Sequence, residues 1–191
     1  MKKIAFVVNT SWHTYNFRLG LIKSFQRQGY EVIAISPKDD FSQKLIDHDI
    51  KHYDIKINNI GTNPFEDALL TYNYYKLYKE IKPDLVMHFT AKPNIYGSFA
   101  AKMLGIPAIS SITGLGTIFL HDSFALRVAK VIYRLALKIP QKVFFENPND
   151  RDLFVKEGFA PREKTVLAPG CGINTEHFKP ALKRVEAQEN K

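Results

Sequence analysis

The stretch Asn9-Thr10-Ser11-Trp12-His13-Thr14-Tyr15-Asn16-Phe17-Arg18 gathers amide, hydroxyl, imidazole, indole and guanidinium groups without one glycine. A loop that cradles a dinucleotide pyrophosphate needs glycines so that backbone can approach the phosphates. Their absence argues against an NAD or FAD site here. Indole faces stack on sugar rings, and amides and hydroxyls hydrogen-bond to sugar hydroxyls. His13 could serve as a general base or orient a hydroxyl. The competing reading is a polar loop that only caps the next helix. Asn9, Thr10, Asn16 and Arg18 are candidate binding residues, and His13 is a candidate catalytic group.

Other segments carry weaker signals. Thr113-Gly114-Leu115-Gly116-Thr117 follows an apolar run, and its glycines would let backbone N–H groups face a ligand. Thr113, Gly114 and Gly116 are therefore candidates. Pro169-Gly170-Cys171-Gly172-Ile173-Asn174 places Gly170 and Gly172 around one residue, a bend suited to a hinge or a cleft wall. Asp47-His48-Asp49 matches an Asp-x-Asp metal motif, but it precedes a strand instead of following one. His48, His52, His121 and His177 lack metal-ligand spacing, so no metal site is expected. Arg127, Lys130, Arg134 and Lys138 fall on one stripe of an otherwise apolar segment, a pattern that could lie on an anionic membrane or face solvent.

The elements that must position these groups alternate along the chain. Strands are predicted over Lys3–Asn9, Tyr30–Ser36, Ile50–Ile57, Asp84–Phe89, Ile106–Ile112, Lys142–Glu146 and Lys164–Ala168. Helices are predicted over Tyr15–Gln28, Asp40–His48, Pro64–Ile81, Asn94–Leu104, Ser123–Ile139 and Asn149–Glu157, with Gly29, Pro83, Gly105, Pro140 and Gly158 as stops. His88 falls inside the fourth strand and is expected to be packed. Alternation of this kind implies an α/β fold: a Rossmann-like, doubly wound, mostly parallel seven-stranded sheet with helices on both faces. Ligands of such sheets bind beyond the carboxyl ends of the strands, which is where the first loop, Lys92 and Asn94, the Thr113 loop, Glu146 and Asn147, and the Gly170 loop should lie.

Composition narrows the setting. The 191 residues carry 27 Lys and Arg against 19 Asp and Glu, a formal charge of +8. That balance favours an anionic partner. Nucleic acid is not expected, for no zinc-finger spacing or aromatic RNA-binding motif is present. Cys171 is the only cysteine, so no intrachain disulfide is possible and a reducing compartment fits. The uncharged run Met103–Leu120 is interrupted by Gly105, Pro107, Gly114 and Gly116 and reads as a buried strand with a glycine loop, not a membrane span. Residues 1–180 are expected to form one domain, with 181–191 a linker or cut end.

Several segments, in this order, resemble the N-terminal domain of family 4 retaining glycosyltransferases of the GT-B fold. They are Tyr15-Asn16-Phe17-Arg18, Lys82-Pro83-Asp84-Leu85-Val86, Lys92-Pro93-Asn94-Ile95-Tyr96-Gly97, Phe144-Phe145-Glu146-Asn147-Pro148-Asn149-Asp150 and Pro169-Gly170-Cys171-Gly172-Ile173-Asn174. The likeness is to bacterial enzymes that extend polyprenyl-diphosphate-linked sugars. It implies an acceptor-binding half, with a nucleotide sugar held mainly by a second, C-terminal domain absent from this chain, no cofactor or metal, and transfer with retention. The acceptor would be a lipid-linked saccharide, and the protein would sit in the cytoplasm on the inner face of the membrane. Arg18 and Lys92 could pair with acceptor phosphates. This half alone is expected to be inactive. An alternative is a non-catalytic membrane-recruiting module that pairs with a separate donor-binding subunit. The chain departs from the family in the first loop, where many members have a Gly-Gly pair and this chain has Thr10-Ser11-Trp12-His13, and at Thr113, where many have histidine.

Overall fold

The structure is a computed structural model that describes residues 1–59, 63–114, 124–172, 175 and 178–179. In chain order the elements are β1 Lys3–Val7, α1 Ser11–Arg27, β2 Glu31–Ser36, α2 Ser42–Ile46, β3 Lys51–Asp54, α3 Pro64–Ile81 and β4 Leu85–Phe89. There follow a π-helical turn Pro93–Gly97 running into α4 Ser98–Leu104, β5 Ala108–Ile112, α5 Phe124–Ala136, β6 Lys142–Phe145, α6 Pro148–Lys156 and β7 Thr165–Leu167. The seven strands are all parallel, in the order β3-β2-β1-β4-β5-β6-β7. The expected doubly wound sheet is thus observed, and its order reverses between β1 and β4.

Alternation along the strands sorts the core into layers. Ile4, Phe6, Val8, Val32 and Ala34 pack with Ile22 of α1 and Leu45 of α2 on one face. Ala5, Val7, Ile33, Ile35 and Val86 pack with Leu70, Tyr74 and Tyr78 of α3 and with α4 on the other. The same second face continues through Val143 and Phe145 under α5 and α6, where Tyr133, Phe154 and Phe159 form edge-to-face ring contacts. Each fully buried aromatic or aliphatic side chain of this kind contributes roughly 1.5–3 kcal/mol by leaving water.

The helix ends follow local chemistry. α3 begins with Asn63, whose side chain accepts the Phe65 N–H, followed by Pro64 and the acids Glu66 and Asp67. That is a favourable N-terminus on cap, ring and dipole grounds. It closes at Lys82 in the left-handed region, just before Pro83.

Three sequence expectations need correction. α1 starts at Ser11, not Tyr15, because Thr10 is extended and its Oγ1 accepts the His13 N–H at 3.0 Å. The predicted first loop is therefore mostly the first turns of a helix. The helix predicted from Asn94 to Leu104 opens with the π-helical turn, where Gly97 lies so close to His88 that a Cβ there would be 2.5 Å from Nε2. α5 ends at Ala136, so Lys138 lies beyond it. Among the described residues no helix is long and apolar enough to cross a membrane.

Candidate functional site

The carboxyl ends of β1, β4, β5 and β6 bring together most of the residues marked by the sequence. α1 leaves β1 almost at once, so its first turn lies over the sheet's reversal point. Two of its N-terminal amides are already occupied by side chains. Thr10 takes the His13 N–H, and Asp39 Oδ2 takes the Trp12 N–H at 3.0 Å. A carboxylate at this helix end also neutralises the positive pole of the helix. The turn therefore offers no ready diphosphate cradle. Instead it presents side chains: Trp12 is exposed and lies edge-on to Phe17, and His13 is half-buried beside the same ring.

His13 has a distinctive electrostatic setting. Burial, and then the neighbouring Arg18 guanidinium, lower its pKa to about 4. Its Nδ1 is buried without a hydrogen-bond partner. At neutral pH this is an uncharged imidazole with one buried, unmet ring nitrogen.

Arg18, one turn further along α1, is buried. Its guanidinium lies 4.5 Å from the centroid of Phe89, at the end of β4, and its Nη2 is 3.4 Å from Glu146 Oε1, just beyond β6. Its Nε has no partner. Arg18 and Glu146 line a groove of about 410 Å³ together with Met87, Ile109, Phe144 and Gly170. Most of its other lining side chains are apolar.

Lys92 makes a nearly buried ion pair with Asp67 of α3 at 2.7 Å, and Tyr96 donates to the other Asp67 oxygen at 2.7 Å. Burial and that carboxylate push the Tyr96 phenol well above its ordinary pKa. Both cations that the sequence offered to a phosphate thus already face a carboxylate, and an anion would have to displace it. Thr90, between Phe89 and this segment, is held at φ 69, an uncommon conformation for a β-branched residue and one that clusters at functional sites.

The remaining candidates divide. Thr113 and Gly114 are exposed after β5, with Gly114 at φ 152; Gly116 lies outside the described residues. Gly170 and Gly172 adopt positive φ and are exposed. The Asn9 carbonyl accepts from Asn59 at 3.3 Å, and Asn16 Nδ2 donates to the Trp12 carbonyl at 2.9 Å. Asn147 and the amide nitrogen of Asn94 are occupied by the scaffold, while Asn94 Oδ1 is buried without a partner. Asn94 is buried and bonds the Ser111 carbonyl at 2.9 Å, and Asn147 caps α6 by accepting the Asp150 N–H at 2.8 Å. Thr10 is likewise a helix cap, so the capping reading holds for it. His88 is packed as expected: it is fully buried, bonded to Tyr78 Oη at 3.0 Å, with its pKa lowered by burial to about 3.

Two partners escaped the sequence reading. Asp67 sits inside a helix that shows no feature beyond its length and cap. Asp39 had a local sign, the Asp39-Asp40-Phe41-Ser42 pattern, in which Asp39 Oδ1 accepts the Phe41 N–H and Ser42 Oγ accepts the Asp39 N–H. Asp47 and Asp49 lie between α2 and β3, at the amino end of that strand and away from the site. Among the described residues no group of three or more His, Cys, Asp or Glu could hold a metal ion.

On α5, Arg134 is not free in the basic stripe: its Nε bonds the Glu157 carbonyl at 3.0 Å and its guanidinium lies over Phe159. Exposed Val128, Val131 and Leu135 form an apolar stripe beside the basic one.

Comparison with known proteins fits this geometry. The chain is 26% identical over 192 residues to the N,N'-diacetylbacillosaminyl-diphospho-undecaprenol alpha-1,3-N-acetylgalactosaminyltransferase of Campylobacter jejuni, covering 98% of this chain and 51% of that protein. It is 30% identical over 208 residues to the UDP-N-acetylglucosamine--N-acetylmuramyl-(pentapeptide) pyrophosphoryl-undecaprenol N-acetylglucosamine transferase of Staphylococcus aureus, covering 96% and 58%. The fold superposes on a glycosyltransferase structure from Rickettsia africae with a TM-score of 0.69 at 19% identity, over 97% of this chain and 47% of that one. The chain thus spans about half the length of the relatives it matches. Residues 3–147 match the family model described as "Glycosyl transferase 4-like", and the chain belongs to that family.

Proposed function

We propose that these residues form the acceptor-binding half of a GT-B glycosyltransferase that moves a sugar from a nucleotide sugar to a lipid-linked saccharide. The observation that carries this reading is the first turn of α1. In the place where a nucleotide-binding sheet holds a pyrophosphate, the helix N-terminus is capped internally by Thr10 and Asp39, and an indole and a neutral imidazole project instead. Such a surface suits a sugar, not a nucleotide. Trp12 stacks on the acceptor ring, His13 orients its hydroxyl, and Arg18 with Glu146 marks the floor. The nucleotide sugar is held by a second domain across a cleft bordered by Thr113, Gly114 and Gly170. Family resemblance supports transfer with retention, without a metal ion, helix termini and basic side chains holding the donor diphosphate.

The test is a binding titration of this chain with a short-chain prenyl-diphosphate-linked amino sugar and, separately, with UDP-N-acetylglucosamine. The acceptor analogue should bind and the nucleotide sugar should not. The reverse preference would overturn the assignment to the acceptor side.

The same reading places the protein on the inner face of the cytoplasmic membrane. Val128, Val131 and Leu135 dip into the interface while Arg127, Lys130 and Lys138 meet anionic headgroups. Replacing Val131 and Leu135 by serine should reduce co-sedimentation with phosphatidylglycerol vesicles, and binding to neutral phosphatidylcholine vesicles should be weak throughout. Equal binding to both lipids sinks this part.

A further inference from the structure

Beneath the first turn of α1 lies a polar cluster that neither the motifs nor the acceptor reading uses. Ser11 of α1, Ser36 at the end of β2 and Ser42 at the start of α2 are buried, and His52 of β3 is half-buried beside them. Ser11 Oγ lies 2.8 Å from Ser36 Oγ, 2.9 Å from the Pro37 carbonyl, 2.9 Å from Ser42 Oγ and 3.1 Å from His52 Nε2. His52 Nε2 is also 3.1 Å from Ser36 Oγ, and the Asp39 N–H donates to Ser42 Oγ at 3.0 Å.

Counting protons decides how the cluster is wired. A hydroxyl has one proton and two acceptor sites. The Pro37 carbonyl can only accept, so Ser11 gives its proton there. Ser11 then has two acceptor sites left, and a neighbour that bonds to it must donate. Ser42 can do so, since the Asp39 amide fills its acceptor side. Ser36 can do so across the shortest contact. With both Ser11 sites filled and the Ser36 proton spent, the contact between Ser36 Oγ and His52 Nε2 holds a proton only if Nε2 carries one. A bare Nε2 would leave lone pairs facing each other with no proton between them, an unfavourable arrangement away from water.

We propose that His52, as the Nε2–H tautomer, is a positioning residue: it closes the hydroxyl network that locks the first turn of α1, and with it Trp12 and His13, onto the carboxyl end of the sheet. β2, the β2–α2 connection, α2 and β3 all converge on Ser11 in this way, and Asp39 of the same connection holds the Trp12 amide. His52 touches no substrate. Its effect on an acceptor passes through the turn, and that consequence alone rests on the acceptor reading.

Two measurements on the chain test the network without any activity assay. Long-range proton–nitrogen correlation NMR reads the His52 tautomer directly; the Nε2–H form is expected, and the Nδ1–H form overturns the proposal. Trp12 is the only tryptophan, so its fluorescence reports the turn. His52→Leu, which removes the donor, should shift Trp12 emission to longer wavelength and increase acrylamide quenching. His52→Gln, which keeps an N–H near the Nε2 position, should restore both toward the parent values. Parent-like fluorescence in His52→Leu, or no recovery in His52→Gln, also overturns it. Should His52→Leu fail to fold, the tautomer in the parent chain still decides. Loss of acceptor binding with an intact tautomer and intact rescue would count against the acceptor reading and not against the network.

Discussion

Two histidines of this molecule look alike by electrostatics and differ in what surrounds them. His88 and His13 are both kept neutral by burial, at about 3 and about 4. His88 lies within the sheet, its Nε2 bonded to Tyr78 and its ring pressed against Gly97. His13 lies at the sheet's carboxyl end with Nδ1 unmet. A lowered pKa therefore does not single out a working residue; place in the sheet and unfilled hydrogen-bonding capacity set the two rings apart. The same contrast separates Asn147, whose amide nitrogen and oxygen are both bonded to Asp150, from the exposed Trp12 indole.

Acid provides the largest test of this comparison. Unfolded histidine binds a proton near pH 6.5, whereas folded His88 resists it down to about 3. The stability contributed by neutral His88 is therefore complete above pH 6.5 and is lost as pH falls from there toward 3, at up to about 1.4 kcal/mol per pH unit. His13 acts in the same direction with less effect, since it is partly solvated. Urea unfolding at pH 7, 6 and 5 should show this decline, and His13→Ala should retain most of it. Disappearance of the acid slope in His13→Ala would reverse the comparison.

Gly97→Ala comes next. The new methyl would meet His88 Nε2 at 2.5 Å and Tyr78 Oη at 3.0 Å, and overpacking of this kind costs about 1–3 kcal/mol. A variant as stable as the parent in urea would mean that His88 is not packed as described. His13→Ala should give the smallest change in stability, within about 0.5 kcal/mol, as for partly exposed positions away from the core. Its effect belongs in the acceptor titration, where binding should weaken. Unchanged binding would remove His13 from the site.

The alternation of apolar runs and helical spacing was enough to read the strand count, the parallel sheet and most helix limits, because periodicity and stop residues are local signals. The start of α1 was misplaced because polar Ser11 to Thr14 match no apolar period, and only the Thr10 and Asp39 caps make them helical. The π-helical turn could not be read, since it reflects His88 meeting Gly97 across two elements. Most candidate positions lie at the carboxyl ends of the strands, because strand ends are easy to locate from sequence. Their partners were not legible: Asp67 for Lys92, Glu146 for Arg18 and the hydroxyls for His52 come from distant segments, and no spacing rule connects them.

The strand order has a further consequence, in time. β1 pairs with β2 on one side, but its other edge waits for β4, with Ile4 opposite Leu85. At a synthesis rate of about 5–20 residues per second, that edge stays unpaired for on the order of ten seconds after it leaves the ribosome. During this interval an interior strand of the finished sheet is an edge strand, open to wrong partners. The early β1–α1–β2–α2–β3 segment, pinned together by Ser11, Ser36, Ser42 and His52, is then the part that must hold its shape while the rest of the sheet is still being made.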